Sequence, residues 1–435
     1  MSLYAERMAR LGNESAFKVG EDIRRVEAKG KTVIKLNLGE PDFNSADNIN
    51  RAAINNILSG NSHYVDPQGI LPFRESIAHN LAERRGICSS PERVVVVSGG
   101  KPPIGYSLLT YVNPGDEVIY PNPGFPIYES WIKFVQAKPM PLNLIEERDF
   151  RFDMAELERL VTKRTKLVII NSPSNPTGGV LTWGDLAQIA EILKAKAHPE
   201  FRVLSDEVYE EIVFDNQAHL SIISQPGMED HTIILNSHSK TFAMTGWRVG
   251  YALLPTEEEA QVFKKWNINT FSCTPPFIQM AAKEALDNPE NQVIVAAMRD
   301  TFQKRRDVIV EELNQIQGIK CVKPAGAFYA FPNIEGVCRD LGALDYWAEN
   351  NKQGVKVPPP STLFQLFALY YHGVATLDRT SFGTIDSQGQ HYLRISLACD
   401  LETLNEGVRR LKAATADMEG FKEFLDIREK IQAGG

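Results

Sequence analysis

The sequence predicts an α/β protein with a mostly parallel central sheet, helices on both of its faces, and a smaller α+β domain beside it. Three observations carry this reading. Short β-branched runs recur through the middle of the chain, each closed by a turn rich in Gly, Pro, Ser or Asn. Helical stretches separate them. The runs are continuously apolar rather than alternating, as strands covered on both faces are. In chain order, residues 93–97 (R-V-V-V-V) break at Ser98-Gly99-Gly100, and 117–120 (E-V-I-Y) at Pro121-Asn122-Pro123-Gly124. Residues 166–170 (K-L-V-I-I) break at Asn171-Ser172-Pro173, 201–204 (F-R-V-L) at Ser205-Asp206, and 232–235 (T-I-I-L) at Asn236-Ser237. In such sheets ligands bind beyond the C-terminal strand ends, and the unusual polar residues cluster there.

From residue 288 the texture changes. A long charged helix is expected through residue 315, with Arg299, Lys304, Arg305 and Arg306 on it. Short strands are expected at 319–322, 327–331 and 392–397, a loop at Pro358-Pro359-Pro360, and a surface-packed helical end at 401–430. At roughly 150 residues per domain, a chain of 435 holds two or three domains. The expected division is a large domain over 45–287 and a small one built from 1–44 and 288–435.

Charge and composition exclude some partners. With 47 Lys and Arg against 55 Asp and Glu, the net charge of −8 provides no diffuse basic field for nucleic acid. No apolar run approaches the length of a membrane span, and the N-terminus, M-S-L-Y-A-E-R-M-A-R, has no signal-peptide core. Five scattered cysteines without a C-x-x-C pair suit a reducing compartment, so a cytoplasmic location is expected, with no metal site.

The chemistry starts from Lys240, in N-S-H-S-K-T-F-A-M-T-G-W-R-V-G-Y. Most lysines are solvated surface charges. This one follows an apolar strand at its ligand-binding end, among Ser237, Ser239 and Thr241, with Arg248 eight residues on. A pocketed lysine amine forms Schiff bases, and hydroxyls with an arginine suit a phosphate-bearing aldehyde, pyridoxal phosphate (PLP). Its pyridine nitrogen needs a carboxylate. Asp206, in V-L-S-D-E-V-Y, is the candidate, although an Asp there could equally cap a helix. Tyr209 and Asn175 (in N-S-P-S-N-P-T-G) could reach the ring oxygen; the plain alternative for Asn175 is a turn. Ser98-Gly99-Gly100-Lys101 opens a helix and offers backbone N–H groups to a phosphate. Phe125, in P-N-P-G-F-P-I-Y, could stack on the ring or simply be core.

Together these segments resemble the class I/II aminotransferases, fold-type I PLP enzymes, from L-G-E-P-D-F at 38–43 to Y-L-R-I-S at 392–396. The resemblance implies a PLP-dependent transferase fold with PLP as cofactor. It implies ping-pong transfer of an amino group between an L-amino acid and a 2-oxo acid, both small molecules. Lys240 becomes the Schiff-base lysine and proton carrier; Asp206 pairs with the pyridine nitrogen; Asn175 and Tyr209 bind the ring oxygen. Gly100, Lys101, Ser237 and Arg248 hold the phosphate, and Phe125 stacks on the ring. Arg394 grips the substrate α-carboxylate, helped by Asn175 and the backbone of Gly39. Tyr64, in H-Y-V-D-P-Q-G, matches a tyrosine that reaches the neighbouring subunit's phosphate site, which implies a homodimer with shared sites.

Two places depart from the pattern. Family members often carry Tyr or Trp at Phe125. The stretch 340–372 is long, and Thr376-Leu377-Asp378-Arg379 stands where relatives place Pro-Gly before Phe382-Gly383. Asp378 and Arg379 are therefore candidate substrate contacts, with an exposed ion pair as the plain alternative. Lys101 could meet a distal carboxylate, which points to aspartate or glutamate. The same scaffold hosts lyases, cyclases and racemases, and these form the alternative reading. A non-catalytic regulator would need a DNA-binding extension, for which about forty preceding residues leave little room.

Overall fold

A computed structural model describes residues 3–12 and 15–433. Its strands are β1 (Ile34–Lys35), β2 (Val94–Val97), β3 (Glu117–Asn122), β4 (Lys138–Ile145), β5 (Arg151–Phe152), β6 (Thr165–Asn171) and β7 (Arg202–Asp206), followed by β8 (Thr232–Ser237), β9 (Gly250–Leu253), β10 (Tyr329–Ala330), β11 (Val374–Ala375), β12 (Leu377–Asp378) and β13 (Leu393–Ser396). Eight of them form one sheet in the order β2-β9-β8-β7-β6-β3-β4-β5. Strands β8, β7, β6, β3 and β4 run parallel, while β9 is antiparallel to both its neighbours and β5 is antiparallel to β4. The expected α/β architecture is present, with a mostly parallel sheet.

The valine run shows why this sheet is covered twice. Side chains alternate across a strand, so Val94 and Val96 enter one core with Phe73, Ile77 and Tyr251. Val95 and Val97 enter the opposite core with Leu204, Ile233 and Phe263. The helices that cover the sheet begin on local signals. Pro102 and Pro103 occupy the first turn of Pro102–Tyr111, where missing N–H groups cost nothing. A Thr182–Asp185 capping box opens Trp183–Lys196.

The expected long helix is Glu290–Asn314. Two of its arginines turn inward: Arg305 pairs with Asp42 and Arg306 with Asp215, each at 2.7 Å. Around it, Phe302, Ile309, Phe328, Phe364, Phe367 and Leu411 form a separate core. Two small sheets sit beside that core, β1 with β11 in parallel and β10-β13-β12 antiparallel.

Several expectations need correction. Residues 319–322 make only an isolated bridge, Lys320 to Asn333. The Asn314 side chain takes both the N–H and the C=O of Cys321, so no ladder continues there. Strand β4 was not foreseen, because Pro139 and Pro141 argue against a central strand; these residues lie where β4 pairs only with β3. Strand β9 was too short and too glycine-marked to read. The third proline of Pro358-Pro359-Pro360 starts the helix Pro360–His372, and the long stretch folds as Ala343–Lys352 and that helix. The C-terminal stretch is two helices, Leu401–Ala416 and Met418–Ala433, broken at Asp417.

Candidate active site

The parallel strands aim their C-terminal ends at one cavity of about 490 Å³. The turn after β2 delivers Gly100 and Lys101. The turn after β3 delivers Phe125, that after β6 Asn171 and Asn175, β7 ends on Asp206, and β8 leads into Ser237, Ser239 and Lys240. Gly39, Tyr209, Arg248, Tyr329 and Arg394 complete the wall. Of the residues singled out as catalytic, cofactor-binding or substrate-binding, all lie here except Asp378, Arg379 and Tyr64, the last 88% exposed on the outer surface.

Asp206 is 5% exposed at the end of β7. Burial pushes its carboxyl up to about 6, opposed by a hydrogen bond from Tyr128 and by the charge of Lys240. The Tyr128 hydroxyl donates to Asp206 Oδ2 at 2.5 Å. Asn171 ties the neighbouring strand in: its Nδ2 donates to the Asp206 carbonyl at 3.1 Å, and its Oδ1 accepts from the Asn175 N–H at 2.9 Å. Across the cavity the Lys240 ammonium donates to the Gly39 carbonyl.

Arg394 is held from three sides. Its guanidinium donates to Asn175 Oδ1 at 3.1 Å and to the Asn37 carbonyl at 2.5 Å, and it lies over the Tyr329 ring at 4.5 Å. Its Nε is buried without a hydrogen-bond partner among the described residues. The hydroxyls of Tyr329 and Tyr209 share a hydrogen bond at 2.8 Å. Tyr329 packs so close to Gly39 that a Cβ there would lie 2.1 Å from its oxygen.

At the other end of the cavity a glycine turn meets the Arg248 guanidinium. Gly99 has φ +83°, and a Cβ on it would lie 2.1 Å from an Arg248 terminal nitrogen, so only glycine admits that guanidinium against the turn. Arg248 itself holds a left-handed φ of 57°, an uncommon conformation for a residue with a side chain. Ser237 caps the short helix that carries Lys240. The Lys101 ammonium lies over the Phe125 ring at 5.6 Å.

Tyr128, Asn171, Tyr329 and Asn37 were missed from sequence. Tyr128 follows Phe125 by three residues, one helical turn, and that spacing was its only signal. Asp378 and Arg379 require correction: both are buried, neither lines the cavity, and they are not an exposed ion pair. Asp378 instead caps the turn Arg379–Phe382 through the Thr380 N–H.

A lysine amine, a buried carboxylate and two arginines meet at the strand ends of this fold, a set of groups that amino-group transfer can use. The family described as aminotransferase class I and II matches residues 31–411. The chain belongs to that family and is a transaminase, and the family implies PLP. An aspartate/prephenate aminotransferase of Cereibacter sphaeroides is 34% identical, covering 96% of this chain and all of that one. An aromatic-amino-acid aminotransferase of Thermococcus litoralis is 35% identical over 87% of this chain and 91% of its own length. The crystal structure of the aspartate aminotransferase from Rhizobium meliloti superposes with a TM-score of 0.85 at 30% identity, covering 96% of this chain and 99% of that one. Among the described residues no helix is long and apolar enough to cross a membrane, and the five cysteines are unpaired.

The donor set fits PLP. A fully buried carboxylate raised by desolvation suits a cationic ring nitrogen. The glycine turn and Arg248 offer an anion cradle, and Arg394 adds a second cation to the cavity wall.

Proposed function

We propose that this aminotransferase uses aspartate or glutamate as amino donor, with oxaloacetate or 2-oxoglutarate as acceptor. The carrying observation is the Lys101 ammonium over the Phe125 ring, inside the same cavity as Arg394. With Arg394 assigned to the α-carboxylate and Arg248 to the cofactor phosphate, Lys101 is a further cation for a side-chain carboxylate. A charge-assisted contact is worth about 1.5–3 kcal/mol, a ten- to hundredfold preference over an uncharged side chain. Relatives named for aspartate and for aromatic substrates both exist, so the name alone does not choose.

PLP, when bound, supplies an electron sink for the charge left when the α-proton departs. In this reading Gly100, the Lys101 backbone N–H, Ser237 and Arg248 hold its phosphate, Phe125 stacks on its ring, and Asn175 and Tyr209 reach its ring oxygen. Asp206 holds the ring-nitrogen proton, and Tyr128 keeps the carboxylate in place. Lys240 would hold the cofactor through its amine, and the same amine would carry the substrate's α-proton. Arg394 orients the α-carboxylate, with Asn175 and the Gly39 backbone beside it.

Tyr64 belongs to a second part of the reading, a homodimer with shared sites. It follows a helix, Asp47–Leu58, whose Ile54, Ile57 and Leu58 are also exposed at helical spacing, and exposed apolar side chains of this kind suit a partner subunit. An active monomer in sedimentation would refute it. We also place the protein in the cytoplasm and divide it into 45–287 and 1–44 with 288–435; fractionation and limited proteolysis test these two assignments. The substrate assignment is tested by kcat/KM for aspartate, glutamate, alanine and phenylalanine in wild type and Lys101→Ala. A selective fall for aspartate and glutamate supports it. An equal fall for all donors places Lys101 on the phosphate only.

A further inference from the structure

Arg379 opens the short turn Arg379–Phe382 that follows β12. Its side chain is 0% exposed. All three of its hydrogen bonds go to neutral acceptors: Nη2 to Asn122 Oδ1 at 2.8 Å, Nη1 to the Gly383 carbonyl at 3.1 Å, and Nε to Gln390 Oε1 at 2.7 Å. Burial pushes the guanidinium down to about 10, partly offset by the nearby charges of Asp378 and Glu129. Burying a cation among neutral acceptors is costly, so what those acceptors connect to matters.

They join two parts of the site. Asn122 ends β3, three residues before Phe125, and it also donates to the Ile385 carbonyl at 3.2 Å. The Gly124 N–H donates to the Phe382 carbonyl at 2.9 Å. The Phe382 ring in turn lies 5.0 Å from the Arg394 guanidinium, on its way into the cavity. Thr384 adds a backbone bond to Glu129 at 3.0 Å, on the helix that follows Phe125. From the other side, Asp378 holds the turn through Thr380 and Ser381 and accepts from Thr362 at 2.5 Å.

We propose that Arg379 is a positioning residue that clamps the 379–385 segment to the end of β3, fixing Phe382 and through it the Arg394 guanidinium relative to the Phe125 turn. It does not touch the substrate, because it lies outside the cavity wall. Its effect therefore falls on recognition of the α-carboxylate, which every amino acid and 2-oxo acid shares. The proposal rests on Arg394 being the carboxylate fork.

The experiment measures kcat and KM of the PLP-loaded enzyme for aspartate, alanine and 2-oxoglutarate in Arg379→Met, Arg379→Lys, Asn122→Ala and Arg394→Met. Arg379→Met should raise KM at least tenfold for all three substrates by the same factor, with kcat within about threefold and cofactor occupancy unchanged. Arg379→Lys should recover part of the loss by restoring a donor to Asn122. Asn122→Ala removes the acceptor from the opposite side, keeps the arginine, and should give the same uniform pattern; it decides the matter if Arg379→Met fails to fold. An unchanged KM in Asn122→Ala and Arg379→Met overturns the clamp. A rise confined to aspartate also overturns it, in favour of a direct substrate contact. If Arg394→Met leaves KM unchanged, the fork assignment fails instead, and the two failures are thereby distinguished.

Discussion

Tyr128→Phe removes a single oxygen, the one that donates to Asp206 Oδ2 at 2.5 Å, with both side chains buried. The other donor recorded on that carboxylate is the Val208 N–H, at 3.4 Å to Oδ1. A hydrogen bond to a charged group contributes about 1.5–3 kcal/mol. About 1 kcal/mol of the bond also serves the neutral acid, so the charge-selective remainder, roughly 1–2 kcal/mol at about 1.4 kcal/mol per pKa unit, raises Asp206 by roughly one unit when it is lost. Asp206 already sits at about 6 through burial, against 3.8 for an ordinary aspartate. A carboxyl raised on folding contributes stability that is fully present below its unfolded value and is lost as pH rises through its folded value. The variant moves that upper limit higher, so the cofactor-free protein loses more stability than wild type between about pH 5 and pH 8.5. Urea unfolding should show a penalty near 1 kcal/mol at the lower pH, where the carboxyl is neutral in both proteins, growing by about 1–2 kcal/mol at the higher. In an Asp206→Asn background the penalty should not change with pH. A penalty that is the same at both pH values in the Asp206 background would refute the claim that Tyr128 acts on the charged carboxylate.

Arg85 lies between Glu207 and Glu210 behind the site, bonded to both. Burial works to raise Glu207, but Arg85 and His219 outweigh it and hold the carboxyl below its usual range. That stability is present above the ordinary carboxylate value and fades as pH falls through the folded one. Arg85→Met strands this charge and should cost about 3–5 kcal/mol in urea unfolding near neutral pH; a cost under 1 kcal/mol would show that the cluster rearranges freely. Lys240→Ala should fold, show no yellow covalent cofactor, and lose transamination to background; borohydride labelling of a different lysine in wild type would remove Lys240 from its role.

The sequence by itself determined the class of fold and which strand ends carry most of the candidate site. Val94–Val97 needs apolar cover on both faces whatever surrounds it, and the alternation of its valines between two cores follows from strand geometry alone. Strand-end placement was legible for the same reason: Asp206, Ser237 and Lys240 follow apolar runs directly, and residues a few positions apart cannot separate in space. Contacts between distant segments were not legible. Asn37 meets Arg394 from 357 residues away and Tyr329 from a different strand of the small sheet, and nothing local in F-Y-A-F or L-N-L marks them. Asp378 and Arg379 show the limit most clearly. Two adjacent opposite charges read as a solvated pair, because charged side chains stay in water unless buried partners satisfy them. Those partners, Asn122, Gln390 and Thr362, come from three separate parts of the chain. Only folding brings them together, and so only the tertiary structure decided that Arg379 points into the protein and away from the substrate.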